Sequence, residues 1–175
     1  MMTTNKFPVI DTERLSLRAL VPSDWKVVSF LRTDPVVNKY VERPPAETEE
    51  KALEFIARIN KYLELQQAWY WSISPHENKL MIGSICLYNF SEDKKVAEIG
   101  YDLHPEHQGK GIMAESVHAI LQFGFETLHL DRIEAFTHVD NEGSRRLLEK
   151  NNFVLLQART DADNKNNVIY EVVRK

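Results

Sequence analysis

The segment Leu103-His104-Pro105-Glu106-His107-Gln108-Gly109-Lys110-Gly111-Ile112-Met113-Ala114-Glu115 constrains the fold more than any other. It reads as the end of a strand, a loop with two glycines, and the start of a helix. Before it, Val96 to Leu103 alternates as a strand does; after it, Met113, Val117, Ile120, Leu121 and Leu128 fall on one helical face. Arg132 to Val139 then reads as a second strand. This strand–helix–strand order is expected to be a right-handed parallel crossover. The first-turn N–H groups of such a helix have no intrahelical partner, and with the helix dipole they form an anion site suited to a pyrophosphate. Gly109 and Gly111 let the backbone take positive φ and approach a ligand, and Lys110 adds charge. A plain surface turn is the competing reading of a lone G-x-G. The dinucleotide fingerprint fails because position 114 is alanine, and the P-loop fails because no Gly-Lys-Ser/Thr follows.

The rest of the chain supplies a sheet and further helices. Leu15 to Arg18 alternates as a strand. Pro22-Ser23-Asp24 offers helix caps ahead of Trp25, Val28 and Leu31. Thr48 caps a helix whose apolar stripe is Ala52, Ile56, Ile59 and Leu63. Trp69 to Ile73, Leu80 to Tyr88 and Val96 to Leu103 read as strands joined by polar turns, hence antiparallel. Ser144 to Asn151 reads as a short helix, and Phe153 to Ala158 and Val168 to Val173 as closing strands. The expected class is α+β, with a mostly antiparallel sheet of six to seven strands, about four helices and one parallel crossover.

Bulk properties narrow the partners. A formal net charge of -4 over 175 residues argues against nucleic acid as the main partner. One cysteine, Cys86, rules out an internal disulfide and favours a reducing, intracellular setting. The opening Met1 to Leu15 has no apolar core of a signal peptide, and no apolar run reaches the length of a membrane span. A cytoplasmic protein is expected. His104 and His107 lack a third ligand at zinc-like spacing, so no metal is expected. Cys86, mid-strand among apolar neighbours, reads as a buried small hydrophobe.

Gln108-Gly109-Lys110-Gly111-Ile112-Met113 resembles the acyl-CoA motif Gln/Arg-x-x-Gly-x-Gly/Ala of the GNAT superfamily of N-acetyltransferases, with Met113 in place of the final small residue. Thr12 to Arg18, Ala97 to Tyr101 with Glu115, and Asn141 to Arg145 followed by Glu149-Lys150 and Asn152-Phe153 resemble the RimJ/RimL-type branch, which includes acetyltransferases of ribosomal-protein N-termini. The resemblance spans residues 12 to about 173. It implies one acyl-CoA N-acyltransferase domain over 1–175 whose sheet is twisted and splayed. It also implies acetyl-CoA as acyl donor and an amine acceptor, taken up by a monomer or homodimer with neither nucleic acid nor membrane as partner.

By the same resemblance the loop amides from Gln108 through Ala114 bind the CoA pyrophosphate, and the strand residues Ile99, Gly100 and Tyr101 border the pantetheine arm. Glu98 takes the proton of the amine, or is an ordinary strand carboxylate. Asn141 contacts the pantetheine amide, or simply caps the next helix. Many members place a proton-donating tyrosine seven residues after that asparagine; here position 148 is leucine, which leaves Ser144 as the candidate acid. Tyr40 and Glu42 are the polar groups expected beside the acceptor. The acceptor is a protein N-terminus or a small amine such as an amino acid, polyamine or antibiotic. A non-catalytic CoA-binding module is the alternative from another class.

Overall fold

The computed structural model describes residues 7–175. The first six residues, on which the reading of the N-terminus partly rests, lie outside the described residues. Alternating apolar residues build an eight-stranded sheet: β1 (Ile10–Asp11), β2 (Leu15–Arg18), β3 (Trp69–Pro75), β4 (Gly83–Tyr88), β5 (Val96–Leu103), β6 (Arg132–His138), β7 (Val154–Leu155) and β8 (Asn167–Val173). Their spatial order is β1-β2-β3-β4-β5-β6-β8-β7, and every neighbouring pair is antiparallel except β5–β6. The additional strand relative to the sequence expectation is the two-residue β1, too short to show a period. The last hairpin is also shorter than expected, because β7 stops at Leu155.

Four helices flank the sheet: α1 (Trp25–Thr33), α2 (Glu49–Glu64), α3 (Ile112–Gln122) and α4 (Glu142–Lys150). The Thr48 hydroxyl accepts from Lys51 N–H at 3.2 Å, the cap expected of α2. α3 buries Ile112, Met113, Val117, Ile120 and Leu121 against Leu87, Ala97, Ile99 and Ile133 of the sheet. Full burial of side chains this size is worth about 1.5–3 kcal/mol each. α1 and α2 form a second layer through Val28, Leu31, Phe55, Ile56 and Ile59, with Tyr70 against it.

One departure from the sequence reading concerns the extent of α3. The apolar stripe of α3 runs on to Leu128, but the α-helix stops at Gln122 and gives way to one wide π turn, Phe123–Thr127. Gly124 lies there so close to the sheet that a Cβ would stand 2.8 Å from Ile133 Cδ1. The α4 end is a Schellman motif: Asn152, at φ 64°, donates to Glu149 O, and Phe153 N–H donates to Leu148 O. Asparagine thus serves at the left-handed position. No helix among the described residues is long and apolar enough to cross a membrane.

Candidate active site

The parallel pair β5–β6 is joined only at its start, through Val96↔Arg132, Ala97↔Ile133 and Glu98↔Glu134. Beyond Glu98 the strands part, while β5 stays paired with β4 as far as Leu103. His104 N–H donates to Ile82 O at 2.8 Å on the β4 side. The two-residue alternation therefore turns the Tyr101 and Leu103 N–H groups toward β6, into the gap. This is the splay expected from the sequence.

The glycine loop follows directly from the open end of the gap. Gly109 and Gly111 have φ of 72° and 76°, and Gly111 is the N-cap of α3. Among the described residues, no N–H from Gly109 through Ala114 donates to a protein acceptor, whereas Glu115 N–H closes the first helical bond to Gly111 O. Gln108 is turned inward, its Nε2 donating to Leu103 O at 3.1 Å. Met113 is 9% exposed and packs in the core, so its bulk does not fill the loop. Burial, then Lys110 and His104, lower the His107 pKa and favour its neutral ring.

On the α1/α2 side the gap opens into a cavity of about 920 Å³ lined by Glu98, Gly100, Tyr101, Asn141 and Ser144, and by Tyr40 and Glu42 of the α1–α2 connection. Glu98 accepts from Asn89 Nδ2 at 3.1 Å. Across the gap the Tyr101 and Ser144 hydroxyls meet at 2.8 Å. Burial pushes the Tyr101 phenol up to about 12, against the opposing Ser144 hydrogen bond. Asn141 Oδ1 accepts from Ser144 N–H at 3.1 Å, so the capping role is realised. Leu148 is fully buried in the core and is not among the residues that line the cavity. Tyr40 packs on His138 with centroids 5.1 Å apart.

Cys86 differs from its expected place. Its strand neighbours Ile85 and Leu87 face α3, but Cys86 faces the cavity floor opposite Gly100. Burial, then the Asp102 charge, push its thiol up to about 12, which makes it a poor nucleophile. The sequence also left out the polar network beside it. Arg43 Nη1 meets Asp102 Oδ2 at 2.9 Å, Asp102 Oδ1 accepts from Ser84 Oγ at 2.5 Å, and Ser84 Oγ meets Tyr70 Oη at 2.8 Å. Arg43 also donates to Asn38 Oδ1 and Leu31 O, tying the α1–α2 connection to β5. Asp102 shares the alternation of Glu98 and Gly100, which was an available signal; Arg43 stands in a loop with no period.

The family profile of the acetyltransferase (GNAT) domain matches residues 14–154. The chain belongs to the GNAT acetyltransferase family. It is an acetyl-CoA-dependent N-acetyltransferase, and the reaction is acetyl transfer from acetyl-CoA to an amine. The N-acetyltransferase p20 of Bacillus licheniformis is 36% identical over 142 residues, which are 81% of this chain and 80% of that one. A ribosomal-protein-serine acetyltransferase of Escherichia coli is 33% identical over 75 residues, 43% of this chain and 42% of that one. The RimL ribosomal L7/L12 α-N-protein acetyltransferase in complex with coenzyme A superposes with a TM-score of 0.82 at 22% identity, over 95% of this chain and 98% of that one. At that identity the superposition speaks for the fold.

Proposed function

We propose that this acetyltransferase acts on a protein N-terminal α-amine, which attacks the thioester directly in a ternary complex. The observation that carries the donor side of the reading is the run of unpartnered amides from Gly109 to Ala114 at the open end of the β5–β6 gap. The pyrophosphate of acetyl-CoA binds those amides and the α3 dipole. Its pantetheine arm lies in the gap beside Ile99, Gly100 and Tyr101, with Asn141 at its amides. The thioester carbonyl accepts from the Tyr101 N–H, which stabilises the developing oxyanion. The neutral amine forms the C–N bond, Glu98 takes its proton directly or through water, and the C–S bond breaks. The thiolate leaves hydrogen-bonded to Ser144 Oγ, which Tyr101 orients.

The acceptor side is supported by charge. Glu42, Glu98, Asp161 and Asp163 line the cavity and suit a cationic amine held beside Tyr40. The ribosomal-protein-serine acetyltransferase among the relatives supports a protein N-terminus as acceptor. A cytoplasmic enzyme working as one domain over 1–175 is part of this proposal and agrees with such an acceptor. The test is release of free CoA thiol from acetyl-CoA across N-terminal peptides, polyamines and amino acids. Turnover with peptides is expected. Turnover confined to a small amine would replace the acceptor assignment, and tight CoA binding with no turnover on any amine would make the chain a CoA-binding module.

A further inference from the structure

The turn between β1 and β2 reaches across the molecule to the start of α3. Thr12 Oγ1 donates to Glu115 Oε1 at 2.6 Å, and Arg14 N–H donates to the same oxygen at 2.9 Å. Arg14 Nε meets Glu115 Oε2 at 2.6 Å, and Arg14 Nη1 donates to Lys110 O at 2.9 Å. Arg14 Nη2 stands 3.4 Å from where a Cβ on Gly111 would be. Burial alone would raise the Glu115 pKa; the hydrogen bonds from Thr12 and Arg14, with the Arg14 charge, outweigh it and hold the carboxylate ionised. The sheet does not require these contacts, because β2 is already laddered to β1 and β3.

We infer that Arg14 is a positioning residue for the phosphates of acyl-CoA, an inference that rests on the loop being the pyrophosphate seat. Two physical arguments carry it. Lys110 C=O and Gly111 N–H belong to one planar peptide and point opposite ways. Gly111 would let that peptide flip. By holding Lys110 O, Arg14 fixes the Gly111 N–H on the opposite side, where the amides converge. The second argument is charge. Glu115 puts a carboxylate in the first helical turn, where it opposes a bound pyrophosphate unless a cation compensates it. Arg14 supplies that cation and leaves Nη2 at the rim.

Calorimetry of CoA binding and steady-state kinetics test this on Arg14→Ala, Glu115→Gln and the double variant, with Gly111→Glu as control and melts to check folding. Arg14→Ala should weaken CoA by about thirtyfold, the loss of a charge-assisted hydrogen-bond pair, and raise the acetyl-CoA KM with kcat within about threefold. The double variant should bind CoA about fivefold better than Arg14→Ala, because the uncompensated carboxylate is gone. Dephospho-CoA should show the same losses, which assigns the effect to the pyrophosphate. If Gly111→Glu loses CoA while Arg14→Ala binds it as the parent does, the inference fails and the loop reading stands. If Gly111→Glu also binds normally, the loop reading itself fails. A double variant no better than Arg14→Ala, with both melting lower, would reduce Arg14 to a fold contact and overturn the inference.

Discussion

The donor and acceptor halves of the site are made of different material. In the proposed reading the donor half is mostly backbone, the amides from Gly109 to Ala114 and the unpaired edge of β5 from one stretch of chain, with Asn141 and Ser144 as its side chains. The proposed acceptor half is side chains, gathered from the α1–α2 connection, β3, β4, β5 and the β7–β8 connection around one cavity. Backbone donors survive most substitutions at their own positions, whereas a side-chain constellation fails one residue at a time. The two halves should therefore break separately.

Gly111→Glu is the largest expected effect, because it puts a side chain and a negative charge at the proposed pyrophosphate seat on the helix N-terminus. Calorimetry should find no measurable acetyl-CoA binding by the folded variant. Glu98→Gln comes next: kcat should fall by about 10²–10⁴-fold, the usual range for a general base, with the acetyl-CoA KM little changed. An unchanged kcat across pH 6–9 would return Glu98 to a structural role and leave proton removal to water.

Arg43→Ala tests the separation most sharply. Asp102 would be left nearly buried without its counter-ion, at a cost of about 3 kcal/mol in stability. The KM for the amine should rise while CoA affinity holds; a matching loss of CoA affinity would show that the halves are coupled. Leu148→Tyr probes the missing tyrosine. The position is fully buried, so overpacking should cost about 1–3 kcal/mol in denaturant unfolding with no gain in kcat.

Ser144→Ala is the smallest effect. A thiolate of pKa about 8.5 departs with little help. A roughly ten-fold drop in kcat is expected, about 1.4 kcal/mol. A loss above a thousand-fold would make the serine an obligatory acid, and no loss would leave it a helix-start serine. The Tyr101 phenol beside it, pushed up to about 12, should stay neutral through pH 9. Its folded pKa lies above the ordinary value near 10, so its contribution to stability is present below pH 10 and is lost as pH rises toward 12.

The same contrast governs what could be read from the sequence. Strand β5, the glycine loop and α3 are contiguous, so period and motif located them together. The faces of β5 were legible too: Ala97, Ile99 and Leu103 are core, and Glu98 and Gly100 line the cavity. Arg43 and Asp102 meet only after the α1–α2 connection folds over the sheet, and no local pattern marks an arginine for a carboxylate in another element. Cys86 was misplaced for a related reason. β4 turns Ile85 and Leu87 to the core and Ser84, Cys86 and Tyr88 to the cavity, and apolar neighbours in sequence do not say which face the thiol takes. The α-helix is shorter than its apolar stripe because the stripe continues through the π turn, where Gly124 lies against Ile133.

The orientation of Cys86 has a practical consequence at the bench. It is the chain's one cysteine, and its thiol is pushed up to about 12. At pH 8 only about one part in ten thousand of such a thiol is thiolate, against roughly a quarter for a thiol of pKa near 8.5. A disulfide dye added to a turnover mixture should therefore titrate the CoA that has been released and leave the native protein almost silent. The same dye should colour the protein only when it unfolds. One reagent would then follow product formation in the folded enzyme and, at high temperature or in urea, report the loss of the fold.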